Sequence, residues 1–258
     1  LTSKLKQFAE RLSAAETTKV GISPLTSEDA LLSVEEAYHI QLENINRKIA
    51  QGHKIIGKKI GLTSLAMQNL LGVDEPDYGH LLDNMVVENG GYISIESVLQ
   101  PKVEAEIAFI LKKDLRGPNV TALDVLQATD YVVPALEIVD SRIQDWKIKL
   151  QDTVADNGSS CMYVLGGKPT KIEDVDLELI GMVLTKNGEL VNTGVGAAAL
   201  GNPATCVAWL ANKLSEFDIS LKAGEVILSG ALSAAETAIK GDSFTARFAH
   251  LGQVSVHF

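Results

Sequence analysis

The chain has 258 residues, 46% of them apolar and 22% charged, with a formal charge of -10. That length and composition suit one large domain, or a compact domain with a smaller helical appendage, and exclude large-scale disorder. The acidic balance excludes a phosphate-neutralising nucleic-acid surface, and no apolar run approaches the length that crosses a bilayer.

At the start, Leu1, Leu5, Phe8 and Leu12 recur at helical spacing among charges, the pattern of an amphipathic helix rather than a secretory signal. Ser33-Val-Glu-Glu36 has the form of a capping box and precedes Tyr38, Leu42, Ile45 and Ile49, which predicts a long helix stopping at Gly52. Lys54-Ile-Ile-Gly-Lys-Lys-Ile-Gly-Leu-Thr63 is short and β-like, and a brief helix is expected from about Ser64 to Leu71, ending at Gly72. These readings place a mainly helical N-terminal region at 1–75 and a β domain at 76–258. From about residue 85 onward the apolar segments are short and divided by turn signals, so the second part is read as mainly β with a few inserted helices. Asn187-Gly188 predicts a hairpin, Asn202-Pro203 the start of a helix carrying Val207, Trp209, Leu210 and Leu214, and the tail two alternating strands around Gly252. There is no internal repeat and no low-complexity linker. Cys161 and Cys206 lack CxxC spacing, read as small buried residues, and fit a reducing cytoplasm.

Within the β part, Pro101-Lys-Val-Glu-Ala-Glu-Ile-Ala-Phe-Ile-Leu111 carries Glu104 and Glu106 two apart, and Val132-Val-Pro-Ala-Leu-Glu-Ile-Val139 carries Glu137. In a strand, residues i and i+2 share a face, so Glu104 and Glu106 present adjacent carboxylates. A wet strand face would also carry acids at alternate positions, but the apolar run from Ile107 to Leu111 suits a strand covered on both sides. Buried acids in such proximity stay ionised only against a cation, and an oxygen-only trio of Glu104, Glu106 and Glu137 suits Mg2+ or Mn2+.

Other patterns fail. Gly194-Val-Gly196 with Gly201 has its third glycine misplaced for a dinucleotide loop and lacks the strand-to-helix setting of one. The five histidines show no paired metal spacing, and there is no Gly-x-Ser-x-Gly elbow. Lys59 enters an apolar, glycine-flanked stretch where desolvation would ease loss of its proton. Asp77, in Glu75-Pro-Asp-Tyr-Gly79, reads as a turn residue capping backbone N–H groups. Asp152-Thr-Val-Ala-Asp-Asn-Gly-Ser159 reads as a polar loop with side chains able to hydrogen-bond a small ligand.

Taken together, Lys59-Ile-Gly-Leu-Thr63, Glu75-Pro-Asp-Tyr-Gly79, Pro101-Lys-Val-Glu-Ala-Glu106, Pro134-Ala-Leu-Glu-Ile-Val-Asp-Ser-Arg142, Asp145-Trp-Lys-Ile148 and Asp152-Thr-Val-Ala-Asp-Asn157 resemble the 2-hydroxypenta-2,4-dienoate (2-oxopent-4-enoate) hydratases of the fumarylacetoacetase superfamily. The likeness runs from about residue 30 to the C-terminus. It implies an α+β fold in which a C-terminal mixed β roll or sandwich holds Mg2+ or Mn2+ on Glu104, Glu106 and Glu137, beside a smaller helical N-terminal region. It also implies that Lys59 and Asp77 are acid–base residues and that Ser159 contacts the substrate carboxylate or a bound water. One departure is visible: many relatives read Asp-Asn-Ala-Ser where this chain has Asp156-Asn-Gly-Ser159.

The activity implied is hydration of 2-hydroxypenta-2,4-dienoate to 4-hydroxy-2-oxopentanoate in the meta-cleavage breakdown of aromatic compounds, by a cytoplasmic homo-oligomer that associates with neighbouring pathway enzymes. Three alternatives stand beside it: decarboxylation of 4-oxalocrotonate, hydration of a longer diacid such as 2-oxohept-4-ene-1,7-dioate, and a non-catalytic place in a complex. A second substrate carboxylate would want a cationic partner, for which Lys102, Arg142 and Lys147 are the candidates.

Overall fold

The computed structural model describes residues 2–258, apart from the side chains of Met67, Leu70 and Leu71; Leu1, the first apolar position of the predicted amphipathic helix, lies outside the described residues. Helix α1 (Ser3–Thr18) begins at Thr2, whose hydroxyl accepts the Leu5 N–H, and ends at Lys19 in left-handed conformation. It buries Leu5, Phe8, Leu12 and Ala15 along one stripe. After the single turn of α2 (Leu25–Glu28), helix α3 (Val34–Ala50) starts with the predicted capping box: Ser33 N–H donates to Glu36, and Glu36 N–H to Ser33 Oγ. Helices α1 and α3 pack together, and Asn44 Nδ2 donates to the Ala9 carbonyl between them.

The next elements are β1 (Ile55–Gly61), α4 (Leu65–Leu71), β2 (Asp77–Leu82), β3 (Val86–Val87), β4 (Gly91–Tyr92), β5 (Lys102–Leu111), α5 (Ala122–Ala128), β6 (Thr129–Val139), α6 (Leu150–Ala155) and β7 (Ser160–Leu165). The chain continues through β8 (Gly181–Lys186), β9 (Glu189–Val195), α7 (Pro203–Ser215), β10 (Val226–Ala231), β11 (Glu236–Thr237), β12 (Ser243–Phe248) and β13 (Gly252–His257). As predicted, Asn187 and Gly188 turn β8 into β9 at positive φ, and the Asn202 side chain caps α7 by accepting the Ala204 N–H.

Two sheets result. The larger runs β2-β1-β10-β5-β6-β7-β3, with β11 added against β5, and the smaller runs β4-β13-β12-β8-β9. Strands β12 and β13 cross β6, so the small sheet covers one face of the large one. On that face Val103, Ala105, Ile107 and Phe109 of β5 join Phe244, Ala246, Val254 and Val256 in the main core. The alternate positions of β5 point the other way. Register aligns Glu104, Glu106 and Ala108 with Glu137, Ala135 and Val133 of β6, and Ala108 with Leu228 of β10. This second face is acidic at one end and carries a buried apolar cluster of Ala108, Val133, Ala135, Tyr163 and Leu228 at the other.

Two local readings change. Strand β1, expected in the N-terminal region, lies inside the large sheet between β2 and β10, so the helical part runs only to Ala50. Gly57 permits this, because a Cβ there would overlap the Val226 carbonyl of β10. Asp152 to Ala155, read as loop, belong to α6. The Asp152 carboxylate accepts the Lys149 N–H at 2.9 Å, starting the helix, and also holds Thr26.

Candidate metal centre and active site

The site is built on the acidic end of the large sheet. Glu104 and Glu137 are direct partners across β5 and β6, Glu106 follows on the same face, and one carboxylate oxygen from each of the three lies within 4.8 Å of the others. Glu106 and Glu137 are 0% exposed, and Glu104 is half-buried. Glu106 Oε2 accepts the Gly230 N–H at 2.7 Å. That contact depends on an irregularity in β10 between Leu228 and Ala231, where Gly230 sits at φ 106° with Thr63 packed where a Cβ would be.

Among the described residues, Glu106 Oε1 and both oxygens of Glu137 are buried without a hydrogen-bond partner. Burial raises the Glu104 pKa to about 7, with Lys59 pulling it down and Glu137 and Asp77 adding to the rise. Burial also raises Glu106, to well above its ordinary value and with help from Glu137 and Glu104, and it raises Glu137 against the pull of Lys59. Three converging carboxylates with unpartnered oxygens fit a hard divalent cation, which would replace the protons that burial favours.

Lys59, on β1, is 3% exposed; its Nζ donates to the Gly158 carbonyl at 3.0 Å and lies 3.5 Å from Glu137 Oε2. Burial pushes the Lys59 ammonium pKa down, as its apolar sequence setting suggests, but in the metal-free protein the surrounding carboxylates of Glu137, Asp77, Glu104 and Glu106 outweigh burial and raise it.

Asp77 is not a turn cap. It opens β2 opposite Gly61, where a Cβ would strike the Asp77 carboxylate, and it is 2% exposed. Thr153 Oγ1 donates to Asp77 Oδ2 at 3.4 Å and lies 3.3 Å from Ser159 Oγ. Burial raises the Asp77 pKa, opposed by Lys59. Lys59, Asp77, Ser159 and the three glutamates are thus brought together, as the sequence reading required. Thr153, Gly61, Gly230 and the Gly158 carbonyl were missed. The glycines were visible as residues, but their task is set by contacts from distant strands.

The three cations proposed for a second substrate carboxylate separate clearly. Arg142 is buried and saturated: it donates to Asp156 and to the carbonyls of Asp140, Ser160 and Asp156. Lys147 is exposed and paired with Asp145 at 2.9 Å. Lys102 lies on the triad's face of β5, half-buried, with its Nζ 4.4 Å from the centre of the Trp146 ring and no carboxylate partner among the described residues.

Residues 67–258 match the family model described as fumarylacetoacetate (FAA) hydrolase C-terminal. The chain is 54% identical over 217 residues to a 2-hydroxypent-2,4-dienoate hydratase of Pseudomonas putida, covering 84% of this chain and 98% of that protein. It is 48% identical over 259 residues to a 2-hydroxyhexa-2,4-dienoate hydratase of Comamonas testosteroni, covering 98% of each. Among solved structures, 4-oxalocrotonate decarboxylase from Pseudomonas putida G7, complexed with magnesium and adipate, superposes with a TM-score of 0.97 at 40% identity, over 100% of this chain and 98% of that one. No helix among the described residues is long and apolar enough to cross a membrane.

Proposed function

The chain belongs to the fumarylacetoacetate hydrolase family, and from that premise we propose that it is a hydro-lyase adding water to 2-hydroxypenta-2,4-dienoate to give 4-hydroxy-2-oxopentanoate in the meta-cleavage breakdown of aromatic compounds. The observation that carries the reading is the conjunction of a triad whose buried oxygens lack hydrogen bonds and a buried lysine 3.5 Å from one of them.

Glu104, Glu106 and Glu137 hold Mg2+ or Mn2+, which when bound supplies a Lewis acid for negative charge on the 2-oxo acid. Lys59 and Asp77 carry the proton transfers. The dienol loses its hydroxyl proton and gains one at its far carbon, giving a conjugated 2-oxo-3-enoate; water then adds at C4 while C3 is protonated. Lys59 begins this sequence as a proton donor, held between Glu137 and the Gly158 carbonyl. Neutralising the triad's charge would remove three of the four carboxylates that raise the Lys59 pKa and leave Asp77 alone against burial, a change in the direction that eases proton transfer. Asp77, kept less acidic by burial, is the second proton carrier, and Ser159 orients the substrate carboxylate or the attacking water.

Lys102 contacts the substrate as well. Its position supports a second reading, decarboxylation of a six-carbon oxo diacid or hydration of a seven-carbon one, because of the three candidate cations it is the one without a carboxylate partner among the described residues. Under the main reading the enzyme is a cytoplasmic homo-oligomer working beside neighbouring pathway enzymes, and its two free cysteines fit a reducing compartment.

The test is to supply Mg2+ and each substrate, following dienol absorbance and CO2 release together: loss of dienol without CO2 is expected, and CO2 from the six-carbon diacid would favour the decarboxylase. In the same assay Lys59→Ala should lose turnover at saturating metal and substrate. Glu106→Gln should lose Mg2+ affinity by calorimetry together with activity. Unchanged values in either variant would remove the corresponding role.

A further inference from the structure

Three consecutive residues between α6 and β7 hold left-handed backbone: Asn157 at φ 59°, Gly158 at 59° and Ser159 at 55°. Only the middle one is glycine, so the turn carries strain at two positions that surrounding contacts must hold in place. Asn157 supplies such contacts. Its Oδ1 accepts the His80 N–H at 2.8 Å, and its Nδ2 donates to the His80 carbonyl at 3.0 Å. Strand β2 is the edge of the large sheet, so this side-chain amide fills both hydrogen-bonding positions that a further strand would use at His80. The Asn157 carbonyl also lies over Gly79, where a Cβ would overlap it.

The two residues that follow reach the proposed acid–base groups. Gly158 presents its carbonyl to Lys59 Nζ, and Ser159 Oγ approaches Thr153, which donates to Asp77. Asn157 is hydrogen-bonded instead to the β2 backbone. From this geometry we infer that Asn157 is a positioning residue, whose side-chain amide clamps the 157–159 turn to the edge of β2 and thereby aims Lys59 and Ser159 at the reacting atoms. The inference rests on the reading of Lys59 as an acid–base residue.

Asparagine tolerates left-handed backbone better than most residues, which offers a plainer reason for its presence. Glycine tolerates it better still. The two reasons therefore diverge in Asn157→Gly: a backbone role is served as well by glycine, whereas the clamp is lost with the amide. Asn157→Asp adds a second contrast, since it keeps an acceptor for the His80 N–H but sets a carboxylate oxygen against the His80 carbonyl.

Both variants and Lys59→Ala are compared with wild type on the dienol with Mg2+. Asn157→Gly should unfold cooperatively, bind Mg2+ within about twofold of wild type by calorimetry, and keep KM within about threefold while kcat falls about 10- to 100-fold, as a misaimed catalytic group requires. Asn157→Asp should lose at least as much kcat. If Asn157→Gly turns over within about twofold of wild type while Lys59→Ala is inactive, the clamp is refuted and the acid–base reading stands. If Lys59→Ala itself turns over normally, both fall. Loss of kcat in Asn157→Gly with a matching loss of Mg2+ affinity or of cooperative unfolding also refutes the clamp, because the residue would then support the fold at large.

Discussion

Two sets of acidic side chains are withdrawn from water in this molecule, and their oxygens are treated in opposite ways. Around α6, Asp140 accepts the N–H groups of Leu99 and Gln100, Asp152 those of Thr26 and Lys149, and Asp156 two donors of Arg142. Every oxygen of those three carboxylates is engaged. On β5 and β6, Glu106 and Glu137 are buried at least as deeply, yet three of their four oxygens accept no hydrogen bond among the described residues, Lys59 approaching Glu137 Oε2 only to 3.5 Å. Burial alone therefore does not mark a functional acid. An acid whose lone pairs are filled by its own chain serves the fold, and one whose lone pairs are left open serves a ligand.

The largest expected effect breaks the first set. Asp156→Ala leaves the Arg142 guanidinium buried without its anion, which should cost about 3–5 kcal/mol of stability in denaturant unfolding. Glu137→Gln in metal-free protein should cost less than Asp156→Ala, because the ion pair it removes from Lys59 is offset by relief of repulsion from Glu104 and Glu106, and Asp77, Glu104 and Glu106 still face the ammonium. Equal destabilisation by the two would erase the distinction between the sets.

How far each set was legible follows from the range of the forces involved. Glu104 and Glu106 announce themselves because a strand's two-residue period is local, and Glu137 sits in a segment with the same apolar flanks. The field on Lys59 was not legible locally, because Glu137 and Glu104 arrive from β6 and β5 and in the metal-free protein outweigh the desolvation that its own sequence suggests. Asp77 looked like a turn residue because Pro76 and Gly79 surround it; its real setting is the pairing with Gly61 across β1. The polar stretch from Asp152 to Ser159 is visible in the sequence, but where its atoms lie depends on a left-handed turn and on Asn157 meeting His80, distant in sequence. The hairpin at Asn187-Gly188 and the capping box at Ser33 were readable because both are complete within four residues or fewer.

His80 extends the comparison from acids to a base. Gln41 Nε2 is committed to the carbonyls of Tyr78 and Val154, so its Oε1 is left to accept from His80 Nδ1 at 3.0 Å, which places a proton on Nδ1. Burial first, and Lys58 second, lower the His80 pKa to about 3. A base with a depressed pKa binds its proton more readily in the unfolded chain, so the folded state loses stability as pH falls below the unfolded value near 6.5. Between about pH 6.5 and pH 5 the loss should be about 2 kcal/mol, read as the difference in urea stability between wild type and His80→Gln. An equal slope in both proteins would assign the acid sensitivity elsewhere.

The smallest effect tests the open set directly. Glu104, raised to about 7 by burial with Lys59 opposing, is largely protonated below neutrality in the metal-free protein. For an acid with a raised folded pKa, the stability it contributes is full at low pH and is lost as pH rises through about 7. Metal binding runs the other way, because the ion needs the ionised carboxylate and expels its proton. From Glu104 alone, Mg2+ affinity should be about tenfold higher at about pH 8 than at about pH 6, equivalent to about 1.4 kcal/mol. Glu106 and Glu137, also raised, can only steepen the rise. Calorimetry in two buffers of different ionisation enthalpy reads both the affinity and the protons released. A flat affinity with no proton release would mean that the triad is already ionised and stabilised by its own chain, as the aspartates around α6 are, and the contrast between the two sets would collapse.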